Sequence, residues 1–280
     1  MKFPMLSVLG AVSSIAGAAA PVHAQGVLIA PTAVFVDART RTASLMIINP
    51  NETTAEVEIA TLFAYPVTDS AGQLILRTPE QPDSTMPSAA EWVRPFPRRM
   101  SLPPKAQQTV RLLVSPPPGL PDGEYWTRIV VTARGGRLPV TESHDSGTVS
   151  VGLSVEVRAI LPLLYRKGRL TSGVTLSDLR GARTGDSLIV RAKLTRTGSA
   201  AALGTARGEL VDSSGVTRAT FSTPVSAYID VDPRFTFPLD SIPAGRYQVR
   251  LEISPGRTDL APGVIVPFTA VRDSLTVRIP

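Results

Sequence analysis

Leu-Pro-Asp-Gly-Glu-Tyr-Trp-Thr-Arg-Ile (residues 120–129) and Ile-Pro-Ala-Gly-Arg-Tyr-Gln-Val-Arg-Leu (residues 242–251) are the two stretches on which the fold turns. Each is a Pro-x-Gly-x-Tyr turn that follows an apolar run and leads into a longer strand-like segment. An immunoglobulin-like sandwich needs such a turn where the chain rounds one corner: the tyrosine ring packs inside while its hydroxyl ties the turn's backbone. Pro-x-Gly-x-Tyr is also a common turn, so the repetition supports a duplicated architecture without proving it.

Outward from these corners the chain keeps one texture. Its 26 prolines and 21 glycines separate short runs rich in Val, Ile, Leu, Thr and Phe, and no long segment has a 3.6-residue period. Strands are predicted at 43–48, 55–63, 109–114, 125–133 and 149–164, then at 188–194, 206–211, 235–239, 247–253 and 274–279. The fold class expected is all-β: two immunoglobulin-like β-sandwich domains after a cleaved signal peptide. The domains are 25–167 and 168–280, divided near Lys167-Gly168-Arg169, where a long strand ends and a polar segment, 171–186, begins.

Residues 1–24 read as the signal peptide: Lys2, a run of apolar and small residues, then Val22-His23-Ala24 as a cleavage site. No later stretch approaches the roughly 18 apolar residues of a membrane helix, so the mature chain is expected to be exported, with no membrane span. There is no cysteine, which excludes disulfides, thiolate metal sites and cysteine nucleophiles. The charge of +6, or +5 once Lys2 leaves with the leader, is mild. Its arginines alternate with apolar residues, as at Leu188-Ile189-Val190-Arg191, and so read as wet strand faces rather than as a nucleic-acid stripe.

Chemistry is sparse. His144 stands beside Asp145 and Ser146, but neighbours in sequence do not make a triad; an exposed loop histidine is the plainer reading. Lys105, Lys167 and Lys193 follow Pro, Arg and Ala, so none completes a phosphate-binding loop. Asp230, Asp232 and Asp240 offer too few carboxylates for a calcium loop. Asn51-Glu52-Thr53 reads as the turn after Ile48, and Trp92, Phe96, Tyr125 and Trp126 as core or corner packing. The expectation is a protein with no enzymatic activity, no cofactor and no metal.

The segment with most to say is 149–158. Val149, Val151, Leu153, Val155 and Val157 alternate with Ser150, Gly152, Ser154, Glu156 and Arg158, giving one apolar face. On pattern alone that face packs on the domain's own core.

Three stretches, in order, resemble the N-terminal domain of the PapD-like periplasmic chaperones that assemble pili. They are IAPTAVFVDARTRTASLMIINPNETTAEVEIATLF (29–63), PRRMSLPPKAQQTVRL (97–112), and LPDGEY (120–125) followed by VSVGLSVEVRAILPLLYR (149–166). The resemblance covers residues 27–166, and the remainder carries no family motif. It implies a periplasmic chaperone for fimbria-like subunits that lends its G1 strand to an incomplete partner. The donor residues implied are Val151, Leu153, Val155 and Val157. The partners implied are pilin-like or other secreted β-rich subunits and an outer-membrane usher. The family clamps the subunit's terminal carboxylate with an Arg and a Lys. At the matching positions this chain has Thr32 and Pro162, so either the anchor has moved, to Arg39, Arg158 or Arg166, or the chain does not clamp C-termini. The alternative expectation is a structural or adaptor protein of the envelope that keeps the fold without chaperoning.

Overall fold

The computed structural model describes residues 26–80, 85–137 and 154–280, so residues 1–24, read as a signal peptide, and His144, Val151 and Leu153 lie outside the described residues. The first sandwich is built from β1 (Leu28–Ala30), β2 (Val34–Asp37), β3 (Thr42–Ile48), β4 (Ala55–Leu62), β5 (Tyr65–Thr68), β6 (Leu74–Arg77), β7 (Val93–Phe96), β8 (Arg99–Leu102), β9 (Gln107–Val114), β10 (Gly123–Arg137) and β11 (Ser154–Lys167). The second comprises β12 (Ser172–Thr184), β13 (Ser187–Gly198), β14 (Ala202–Asp212), β15 (Thr217–Ala227), β16 (Arg234–Pro238), β17 (Gly245–Pro255) and β18 (Val271–Ile279). The described residues contain no helix.

In the first sandwich the sheets run β1-β3-β9-β7 and β2-β11-β10-β4-β8; in the second, β12-β13-β16 and β15-β14-β17-β18. Period-2 alternation puts Leu45, Ile47, Val110, Leu112, Ile129, Val131 and Leu163 between the first pair of sheets. It puts Val190, Leu194, Leu210, Phe237, Val249 and Leu251 between the second. Both corner tyrosines act as the repeated turn predicts. Tyr125 Oη donates to the Pro121 carbonyl at 3.0 Å, and Tyr247 Oη to the Pro243 carbonyl at 2.7 Å.

Most of the polar segment 171–186 forms a strand, β12. It pairs only with β13, is an edge of its sheet and is mostly exposed, so polar residues carry little penalty. Asn49, fully buried, donates to the carbonyls of Thr53, Leu102 and Pro103 and accepts from the Asn51 amide. It holds the turn in which Asn51 lies.

A third apolar cluster joins the sandwiches: Phe63, Tyr65, Val67, Trp126 and Leu164 from the first meet Ala201, Leu203 and Tyr228 from the second. The β5–β6 hairpin reaches across. The Ser70 carbonyl accepts from Arg191 Nη1 at 2.7 Å, Thr68 Oγ1 accepts from the Asp232 amide at 2.9 Å, and the Gly72 carbonyl accepts from the Arg234 amide at 2.9 Å. Arg191 therefore ties the domains instead of lying on a wet strand face. Gly72 sits at φ +78°, and a Cβ there would lie 3.0 Å from Arg191 Nε and 3.1 Å from the Arg234 amide, so only glycine permits this approach. The chain passes between sandwiches at Gly168 (φ +73°), where a Cβ would collide with the Asp122 side chain.

Candidate functional site

β11 has different neighbours along its length. On one side β10 follows it, from Gly123 opposite Lys167 to Arg137 opposite Ser154, with a shift between Arg134 and Arg137. On the other, β2 runs parallel to it for four residues only, Val34 opposite Leu163 through Asp37 opposite Arg166. Among the described residues, 154–162 has no strand on that flank. The reason lies just upstream of β2, where the chain crosses from the opposite sheet through Pro31, which has no N–H to give a ladder. Pro162, likewise without an N–H, marks where the open stretch meets β2, a position that suits proline only at an edge.

Over the described residues from 155 on, the strand alternates as expected. Val155 and Val157 are half-buried on the inward face, in line with Leu161, Leu163 and Tyr165, which are buried, while Glu156, Arg158 and Ile160 are exposed. Neither valine belongs to the first sandwich's buried cluster. The apolar face is thus enclosed at the strand's end and only partly covered at its start.

The outward face of β11 borders a cleft of about 320 Å³ between the sandwiches. Its apolar wall is made by Leu74 and Leu76 of β6, Ile160 and Pro162 of β11, and Pro224 of β15. Leu74, Leu76 and Ile160 are 45%, 39% and 48% exposed, unusual for large aliphatic side chains grouped around one hollow. At its base stands Arg128, opposite Pro162 in the β10–β11 register and 6% exposed. Its Nε donates to the Ala64 carbonyl at 2.9 Å, and its guanidinium lies 5.1 Å from the centre of the Tyr228 ring. Burial pushes the Tyr228 phenol above its ordinary range, against the opposing pull of the Arg128 charge. Among the described residues no carboxylate pairs with Arg128. Arg257, also at the cleft, is already held by Asp259 at 2.5 Å and donates to Ser226 Oγ at 3.0 Å. The Arg128 guanidinium thus brings to the cleft a positive charge that no carboxylate neutralises among the described residues, a group of the kind that pairs with anions.

The three arginines considered from sequence sit elsewhere. Arg166 donates from Nε to Glu124 Oε2 at 2.8 Å, bonds the Val264 carbonyl, and stacks 4.6 Å from the Phe35 ring. Glu124, 3% exposed, accepts from the Ala201 amide at 2.9 Å and from Trp126 Nε1 at 3.1 Å, so this pair joins the domains. Arg158, 66% exposed, pairs with Glu156 at 3.3 Å. Arg39 is exposed in the turn after β2, where Asp37 Oδ1 accepts its backbone amide. Thr32 is exposed in the crossing between β1 and β2. None of these four lines the cleft; Arg128, which does, stands in the middle of an apolar run in the sequence, and only the strand register brings it beside Pro162.

Of the aromatic residues, Trp126 is buried and meets Tyr228 edge-on at 4.9 Å, and Trp92 and Tyr125 pack at 5.2 Å. Phe96 departs from the packing expected of it: it is 76% exposed, because Val93 and Pro95 take the inward positions of β7. Asp232 is taken up by Arg180 and by Arg191 at 2.6 Å, and Asp230 accepts from the Arg196 amide at 3.1 Å. Among the described residues no three His, Cys, Asp or Glu side chains are grouped to hold a metal ion.

No family model matches this chain, and no curated protein matches it. Among solved structures, similarity extends to the SafB chaperone of Salmonella enterica in complex with the SafA pilin, at 16% identity over 89% of this chain and 96% of that one, with a TM-score of 0.42. It extends also to the CsuC–CsuE chaperone–tip adhesion subunit pre-assembly complex of Acinetobacter baumannii, at 13% identity, 88% and 97% coverage and a TM-score of 0.43. A third is the CupB2 chaperone of Pseudomonas aeruginosa, at 12% identity, 90% and 100% coverage and a TM-score of 0.39.

Proposed function

We propose that this chain is a periplasmic, non-enzymatic chaperone or assembly factor for fimbria-like surface subunits, binding them by strand addition along β11. The observation that carries the reading is the flank of residues 154–162, which has no strand beside it among the described residues. Unpaired edges invite aggregation, and proteins that have no use for one usually cover or blunt it. Here the edge leads instead into a cleft walled by exposed Leu74, Leu76 and Ile160. A partner strand laid there gains main-chain hydrogen bonds along the edge. The donor set is Val151, Leu153, Val155 and Val157, with Arg128 at the base of the cleft receiving a carboxylate of the subunit in place of a clamp at Thr32 and Pro162.

The second reading, an envelope adaptor of the same fold, draws on the exposed Thr32 and the uncharged Pro162. The two part in one experiment. The chain is co-expressed in the periplasm with a candidate subunit that is insoluble alone, and soluble subunit is quantified for wild type, Val155→Asp with Val157→Asp, and Arg128→Met, each checked for native circular dichroism. The chaperone reading expects recovery by wild type, loss by the double variant, and at least tenfold weaker capture by Arg128→Met, of the order expected for one charge-assisted pair. Folded variants that recover as much subunit as wild type would refute it.

A further inference from the structure

The two outer faces of the first sandwich carry their charges differently. On the β2-β11-β10-β4-β8 sheet, cations meet anions: Glu58 pairs with Arg99 at 2.8 Å and Arg134 at 3.5 Å, and Glu156 with Arg134 at 2.7 Å and Arg158 at 3.3 Å. Arg99 draws the Glu58 carboxyl below its usual range, chiefly through their hydrogen bond. The four strands of the β1-β3-β9-β7 sheet, by contrast, contain no Asp or Glu at all.

That acid-free sheet turns large apolar side chains outward. Phe96 is 76% exposed, Leu28 58%, Leu113 52% and Met46 38%. The register interleaves cations with them: Phe96 lies opposite Arg111, and Arg94 opposite Leu113. Both arginines are exposed, and among the described residues neither side chain has a carboxylate or a hydrogen-bond partner. The sheet thus presents one surface of aromatic and aliphatic side chains set among uncompensated positive charge.

We infer that this face of the first sandwich docks on an anionic lipid bilayer surface. The chemistry matches on both counts. Headgroup phosphates supply the negative charge that Arg94 and Arg111 lack, and the boundary beneath them accepts Phe96, Leu113 and Met46 while the guanidiniums stay in the polar layer. A second copy of the same face is a poor occupant, since it would set arginine against arginine. The chain's net charge of +6 favours the same encounter over longer range, and the inference does not depend on the chaperone reading.

The test is flotation of the purified mature chain with vesicles of phosphatidylglycerol and phosphatidylethanolamine, against vesicles of phosphatidylcholine alone. The chain should float with the anionic vesicles only and be released as salt rises toward about 0.5 M, where screening shortens charge attraction to a few ångströms. Arg94→Ser with Arg111→Ser should lower partitioning by roughly thirtyfold, given about a fivefold loss for each arginine near the surface. Phe96→Ser should lower it by about tenfold, and Arg272→Ser, an exposed cation paired to Glu252 in the second sandwich, should leave it unchanged. Failure to float with anionic vesicles overturns the inference, as do folded Arg94, Arg111 or Phe96 variants that float like wild type. So does a photoreactive residue at position 96 that crosslinks a protein and no lipid in cell envelopes. Should the variants not fold, the comparison of anionic with neutral vesicles decides alone.

Discussion

β11 and β18 end their sandwiches alike and differ in what lies beside them. Each pairs antiparallel with the strand that carries its domain's corner tyrosine, β10 or β17. β18 is matched residue by residue from Val271 opposite Ile253 to Ile279 opposite Gly245. No strand pairs with its other flank either, but β12 packs so near that a Cβ on Gly181 would lie 3.2 Å from Val277 and 3.3 Å from Leu275. β11 has the same hairpin partner and the same alternation, yet beyond β2 its flank is open. Availability to a foreign strand is therefore not written in the strand itself; it depends on where β2 begins, and so on the crossing at Pro31.

The largest expected effect comes from separating the two sandwiches. Glu124 and Arg166 form a buried pair at 2.8 Å whose acid also receives the Ala201 amide of the second domain. Removing one member of a buried pair strands the other, at about 3–5 kcal/mol. Glu124→Ala is therefore expected to lower stability by that amount in urea denaturation and to split a single cooperative transition into two. Glu124→Gln, which keeps acceptors for Ala201 and Trp126, should lose less. An unchanged, single transition in Glu124→Ala would mean that the aromatic cluster around Trp126 and Tyr228 couples the domains unaided.

Next comes the contrast within β11. Leu163, fully buried opposite Val34, should cost about 2–5 kcal/mol when truncated to alanine. Val155, half-buried on the open stretch, should cost under about 1 kcal/mol when treated the same way. Denaturation of both variants checks this, and equal losses would mean that the start of β11 is as enclosed as its end.

Much of this molecule is legible before folding. The Pro-x-Gly-x-Tyr corners and the alternating runs both follow from local chemistry: turn residues with a fixed backbone preference and side chains that switch faces every residue. Short strands such as β1, β5 and β7 escape because they hold too few residues to show a period, and β12 because an edge tolerates polar side chains. The alternation of β11 was visible as well, whereas its open flank was not, since that is a fact about β2. Arg128 illustrates the same limit. Trp126-Thr127-Arg128-Ile129 reads as an ordinary strand, and only pairing with Pro162 and the approach of Tyr228 make its arginine the floor of a cleft. The exposure of Phe96 escapes for a related reason: a single aromatic beside two prolines does not reveal which parity of β7 faces inward.

The smallest effect tests how equal the two sandwiches are. Tyr125 and Tyr247 make the same bond to a carbonyl four residues upstream, at 3.0 and 2.7 Å, but Tyr247 is 4% exposed and joins its domain's core, whereas Tyr125 is half-buried beside Trp92. Tyr→Phe at either site removes one hydroxyl and leaves a carbonyl without its donor. That loss is worth about 1 kcal/mol, more where water cannot replace the donor. Tyr247→Phe should therefore destabilise more than Tyr125→Phe, each measured as a shift in urea midpoint at constant slope. The reverse order would place the stronger corner in the sandwich with the open strand, and would make the Pro121–Tyr125 turn, rather than the domain interface, the element that holds β10 and β11 straight beside the cleft.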